Sequence, residues 1–95
     1  MMIRYTVRPD QVGRNLKLLR AVYEELESTQ PDGLHQASFQ LDDKITFVDF
    51  VMGPDLPEPL PRLEAFQRFR RTLDARYDEP PVMTELSEVG SFRFH

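Results

Sequence analysis

Residues 34–52 admit few readings other than a β-hairpin, and that hairpin limits what the rest of the chain can build. Residues 34–41 and 44–52 are rich in Phe, Val, Ile and Thr, and the polar Asp42-Asp43-Lys44 between them has the composition of a tight connection. With Asp43 and Lys44 in the turn, Phe39 faces Val48 and Ala37 faces Phe50, while Gln40 faces Phe47 and Ser38 faces Asp49. One side of the pair is then oily and the other mixed.

Upstream, Ile3, Tyr5 and Val7 alternate with Arg4, Thr6 and Arg8, the period of a strand with two unlike faces. Pro9 and Asp10 supply a turn and an N-cap, after which Val12, Leu16, Leu19, Tyr23 and Leu26 recur at helical spacing to about Ser28. Arg14, Lys17 and Arg20 precede Glu24, Glu25 and Glu27, an order opposed to the helix dipole, so packing must hold this helix. Gln30-Pro31-Asp32-Gly33 stops it. Downstream, residues 53–61 contain four of the eight prolines and form a connecting loop. Leu63, Phe66, Phe69, Leu73 and Tyr77 then mark a second amphipathic helix, with Glu64 early and Arg68, Arg70, Arg71 and Arg76 late. Pro80-Pro81 is expected to end that helix, and residues 82–94 to form a last strand, bent near Gly90.

Strand, helix, hairpin, helix, strand is the βαββαβ order of the ferredoxin-like α+β architecture, a four-stranded antiparallel sheet with two helices on one face. Ninety-five residues make one such domain, 1–95, with the first and third strands at its centre. The helix-covered face is expected to use Ala37, Phe39, Leu41, Val48, Phe50 and Met52 with Ile3, Tyr5 and Val7. Ile45, Phe47 and Val51 would then lie on the open face beside Arg4, Thr6, Gln36, Ser38, Gln40 and Asp49, with Arg4 and Asp49 placed to pair. Large apolar groups on an open sheet call for a cover, and a two-fold homodimer stacking sheet on sheet is the economical one.

Other classes are set aside by composition. A formal charge of −4 has the wrong sign for gripping phosphate backbones, and the lack of cysteine excludes disulfides, thiolate metal sites and a cysteine nucleophile. No apolar run approaches the ~18 residues of a membrane span, and Met1-Met2-Ile3-Arg4-Tyr5 lacks the apolar segment of a secretory signal. The expectation is a cytoplasmic protein that contacts neither nucleic acid nor membrane. No nucleophile elbow or phosphate-binding glycine pattern is present, and no second histidine stands at metal-ligand spacing from His35.

Met2-Ile3-Arg4-Tyr5-Thr6-Val7-Arg8-Pro9-Asp10, then Asn15, Val22-Tyr23, Pro31-Asp32-Gly33-Leu34, residues 37–43 and Thr46-Phe47-Val48 resemble the small dimeric α+β-barrel proteins of the antibiotic biosynthesis monooxygenase-like superfamily. The resemblance spans nearly the whole chain and is specific for architecture rather than activity. It implies a dimeric barrel with a pocket between each subunit's sheet and helices. It also implies an oxygenase that needs no cofactor, acting on a small phenolic or quinol-like aromatic molecule that, once deprotonated, hands an electron to oxygen. The alternative is a non-catalytic module for small-ligand binding or assembly.

Such enzymes often use an Asn, a Trp and a Tyr, Arg or His at the pocket. Here Asn15 lies beside the buried stripe of the first helix and is the first catalytic candidate, against the plainer reading of a structurally satisfied amide. His35, the only internal histidine, is the second, expected on the helix side near one end of its strand. The chain has no tryptophan, so the Asn/Trp/His set of haem-degrading relatives is incomplete. Tyr5 and Tyr23 offer phenols to a ligand, and Phe39, Phe50 and Phe66 an aromatic lining, although all five also fit a plain core. Arg68, Arg70 and Arg71 read as a solvated helix face, and the stretch from Pro54 to Pro61 as a loop rather than a polyproline ligand.

Overall fold

The chain was analysed as a computed structural model, which describes residues 1–53 and 62–93. The proline-rich stretch 54–61, Phe94 and the terminal His95 lie outside the described residues. The elements are β1 (Met2–Val7), α1 (Val12–Thr29), β2 (His35–Gln40), β3 (Thr46–Met52), α2 (Glu64–Arg71) and β4 (Tyr77–Thr84). They form one antiparallel sheet in the order β2-β3-β1-β4, the ferredoxin-like arrangement with β1 and β3 central. No helix among the described residues is long and apolar enough to cross a membrane.

The hairpin forms as its sequence dictates. Phe39 pairs with Val48, Ala37 with Phe50, Gln40 with Phe47 and Ser38 with Asp49. Asp43 organises the turn, its Oδ1 accepting the backbone N–H groups of Ile45 and Thr46 and its Oδ2 the Thr46 hydroxyl at 2.6 Å. Lys44 takes the left-handed conformation, with φ of 69°. Gln30 and Gly33 use positive φ to turn the chain out of α1. At the other end of α1 the expected Asp10 cap is replaced by a 3-10 turn over Pro9–Gln11 with no side-chain cap.

The faces of the hairpin are reversed from the expectation. Tyr5 pairs with Phe47 and Ile3 with Asp49, so Phe47, Asp49, Val51, Gln36 and Ser38 share the helix-covered face with Ile3, Tyr5 and Val7. Ala37, Phe39, Val48, Phe50 and Met52 share the open face with Arg4 and Thr6, so Arg4 and Asp49 lie on opposite sides of the sheet and cannot pair. Both faces of β3 are apolar, so alternation does not say which is inside; a one-residue change of register against β1 exchanges them. The Tyr5 ring stacks on Phe47 at 5.6 Å and meets Phe69 of α2 edge-on at 6.1 Å. With Val7, Leu19, Val22 and Leu73 these make the core, each large side chain contributing roughly 1.5–3 kcal/mol on burial.

The last third differs more. Helix α2 ends at Arg71, a 3-10 turn covers Leu73–Ala75, and β4 begins at Tyr77, so Pro80-Pro81 lies inside a strand. Two features accommodate the prolines. β4 is an edge strand, and its pairing slips from Thr6–Glu79 to Arg4–Val82, leaving an extra residue where Pro80 and Pro81 stand. Residues 85–93 carry no regular structure, where the last strand was expected. Helix α2 is fastened to α1 by Glu25, whose two carboxylate oxygens accept the N–H groups of Glu64 and Ala65 at 2.9 and 2.7 Å, satisfying donors that a helix start leaves open.

Candidate functional site

Between the sheet and α2 lies a cavity of about 390 Å³, within the size range of small-ligand sites. Ile3, Phe66, Phe69, Leu73, Tyr77 and Met83 give it apolar and aromatic walls, and Pro81 brings the β4 bulge to its edge. Its buried end is formed by Tyr5 and Asp49, and its exposed end carries Arg70 and Asp74. The bulge faces Tyr5, which lies between Arg4 and Thr6 and has no partner in the β1–β4 ladder.

Two polar systems meet at the buried end. In the first, Arg76 is wholly buried and donates through Nε to Asn15 Oδ1 at 3.1 Å, through Nη2 to the Phe69 carbonyl at 3.0 Å, and through Nη1 to the Thr72 hydroxyl. All these partners are neutral. Its guanidinium also lies 4.8 Å from the Phe69 ring centre. Asn15, also fully buried, donates from Nδ2 to the Tyr5 hydroxyl at 3.0 Å. The Tyr5 oxygen therefore acts as acceptor toward Asn15 and keeps its own proton for another partner. Burial, then the nearby Asp49 charge, push the Tyr5 pKa above the ordinary phenol value, so it is a neutral donor at any physiological pH.

The second system centres on Asp49, which is 6% exposed. Burial raises its carboxyl to about 6, against the opposing effect of a hydrogen bond from Ser38. Asp49 Oδ1 finds no hydrogen-bond partner among the described residues. Ser38 Oγ lies 2.6 Å from the Tyr23 hydroxyl, whose pKa burial also raises. An ionisable acid with an open oxygen and a neutral phenol donor thus meet at the closed end of an apolar cavity, a set able to take a proton from a ligand and hold the resulting anion.

No family model matches the chain, and no curated protein matches it. A solved structure does: "Putative antibiotic biosynthesis monooxygenase from Nitrosomonas europaea" superimposes with a TM-score of 0.70 over 85% of this chain and 80% of that one, at 16% identity. The fold is antibiotic biosynthesis monooxygenase-like. At that identity the likeness fixes the path of the chain and assigns no residue a role. Within this antibiotic biosynthesis monooxygenase-like frame, the residues singled out from sequence separate into three places. Tyr5 and Phe66 line the cavity, and Asn15 stands behind Tyr5. Tyr23 lies beyond Ser38, away from the cavity wall. His35, Phe39 and Phe50 project from the open face, His35 pairing with Met52 and Phe39 meeting Phe50 edge-on at 5.9 Å. The reversed hairpin explains that last group, since their expected inward side was the wrong one.

Arg76 is the site residue sequence reasoning passed over, whereas Asp49 enters it only as the expected partner of Arg4. Asp49 is the one charge in the run from Ile45 to Met52, a signal that could have marked it. Arg76 offered none, because it continues the series of Arg68, Arg70 and Arg71 and reads as a helix-end charge.

Proposed function

We propose that the cavity binds a small phenolic or quinol-like molecule and that the protein oxygenates it without a cofactor. Asp49 accepts the proton of the activated ring, and Tyr5, aligned by Asn15 and Arg76, donates a hydrogen bond to the oxyanion that forms. The electron-rich anion then passes an electron to dioxygen. Recombination places a peroxide on the ring carbon, Asp49 returns the proton to its outer oxygen, and the hydroperoxide loses water together with the remaining C–H hydrogen to leave a carbonyl there. The observation that carries this reading is the buried Asp49 carboxyl, raised to about 6 and incompletely hydrogen-bonded, on the wall of an apolar cavity. Oxygen uptake with a panel of anthrones and hydroquinones tests it. Wild type should turn over, with a rate rising through about pH 6, and D49N should lose ~10²–10⁴ of that rate. Equal uptake by the two proteins refutes Asp49 as base. A ligand that raises Tm without oxygen uptake supports the binding-module reading instead.

We also infer that the partner is a second copy of the chain, laid across the open face. Phe39 and Val82 are 51% and 60% exposed on the face away from the helices, beside the half-buried Ala37 and Phe50, and make an apolar surface that the molecule's own helices leave uncovered. Stacking two such faces is the two-fold solution, and a stable interface of this kind buries about 1,200–2,000 Å² in total.

A further inference from the structure

The cavity between the sheet and α2 is charged differently at its two ends, and the difference selects a ligand. At the closed end Asp49 Oδ1 is open among the described residues, and Tyr5, which accepts from Asn15, keeps its own proton to donate. A ligand group that satisfies both must give a proton to an acid and take a hydrogen bond from a phenol. A hydroxyl does so, whereas an ammonium has no acceptor and a carboxylate meets Asp49 as a like charge. Phe66 and Phe69 on the walls suit an aromatic ring behind that hydroxyl.

At the open end stand Arg70, in the last turn of α2, and Asp74, in the 3-10 turn that follows, both exposed. Among the described residues neither side chain has an ion pair or hydrogen bond, with the other or with a third group. A carboxylate seated there gains from Arg70 and loses to Asp74, and an ammonium does the reverse. A head group with both charges on one carbon gains from each.

The geometry points to an α-amino acid with a hydroxylated aromatic side chain, of the tyrosine or dihydroxyphenylalanine type, as the ligand: its ring hydroxyl at Asp49 and Tyr5, its ring on Phe66 and Phe69, its carboxylate at Arg70 and its ammonium at Asp74. This assignment rests on the proposed reading of the cavity as a phenol or quinol site and narrows it. The charged head group stays at the solvent end, so no unpaired ion is buried. Entry in the other direction would bury an ammonium and a carboxylate among aromatic walls and set the carboxylate against Asp49. Arg70 and Asp74 are then specificity residues, with no part in the proton transfer.

Anaerobic titration calorimetry with the full chain measures binding without turnover. The probes are one hydroquinone ring carrying an alanine, a propionate, an ethylamine or an ethyl arm. The amino acid should bind about threefold to tenfold more tightly than the propionate or the amine, the scale of exposed ion pairs and of the like-charge contacts that replace them, and concentrated salt should shrink that advantage. D74N should abolish the advantage over the propionate and keep that over the amine, and R70Q the converse, while all three proteins bind ethylhydroquinone equally. A merely structural role would move the four probes together. Equal affinities for the three charged-arm probes, or a ranking that neither variant alters, overturn the inference, as does binding of no probe at all. D49N separates it from the base reading. Oxygen uptake by D49N at the wild-type rate, with the ranking intact, removes Asp49 as base and leaves the head-group assignment, whereas a lost ranking with D49N inactive does the reverse.

Discussion

The carboxyl that gives the site its chemistry should also weaken the fold, and the size of that effect follows from its burial. Asp49 ionises at about 6 in the folded protein, against 3.8 for an unperturbed aspartate. Between those values the folded chain holds a proton that the unfolded chain has released. Stability contributed by the protonated acid is therefore present at about pH 4 and lost as pH rises through about 6. Roughly two units at about 1.36 kcal/mol each make the loss near 3 kcal/mol at pH 8. D49N has the same shape and no charge, so its stability relative to wild type should climb by about 2.4 kcal/mol from pH 4 to pH 8, most of it between pH 4 and 6. For a chain of this length that is roughly 10–19 °C in Tm. Urea unfolding of both proteins at one protein concentration, which holds any association equilibrium fixed, measures the difference. A wild-type-to-D49N gap that stays constant from pH 4 to pH 8 refutes the reasoning, whatever its absolute size, because the constant part reports only the altered hydrogen bonds of the amide.

Asn15→Ala strands the Tyr5 hydroxyl and Arg76 Nε in the core, so urea unfolding should show about 2–4 kcal/mol of destabilisation; a loss under 0.5 kcal/mol would mean that the pair does not depend on the amide. Phe39→Glu places a charge among the exposed apolar groups of the open face. Sedimentation at micromolar concentration should find wild type at twice the 11.2 kDa chain mass and the variant at that mass, whereas a wild-type monomer would refute the dimer.

What could be read from sequence was what local chemistry decides. The pairing of Phe39 with Val48 follows from a turn that Asp43 builds with its own carboxylate, so the hairpin register needed nothing from elsewhere. Which face of that hairpin meets the helices depends on how β3 docks against β1, fifty residues apart from end to end, and neither Phe47 with Val51 nor Val48 with Phe50 is the more apolar set. The error there carried His35, Phe39 and Phe50 toward a pocket they do not reach and paired Asp49 with Arg4. Pro80-Pro81 signalled an end of helix because prolines remove ladder donors, a rule that an edge position and an added residue relax. Asn15 was legible as a polar residue on a buried stripe, while Arg76 required the fold to bring residue 76 back against residue 15.

The reversal bears on function as well as on topology. A sheet that turned Ala37, Phe39, Val48 and Phe50 inward would keep Gln36, Ser38 and Asp49 in water, and would leave Phe47 and Val51 outside in need of a cover. This one turns Gln36, Ser38 and Asp49 inward and keeps Phe39 and Val82 outside. Burying those polar groups is unfavourable unless they find partners, and exposing the apolar ones forgoes burial energy. Both losses have the same remedy, which is contact with another molecule: a ligand that can share its proton with Asp49 on one side, and a second sheet against Phe39 on the other. A D49N protein that gains stability while losing oxygen uptake would show that the inward set is kept for chemistry rather than for folding.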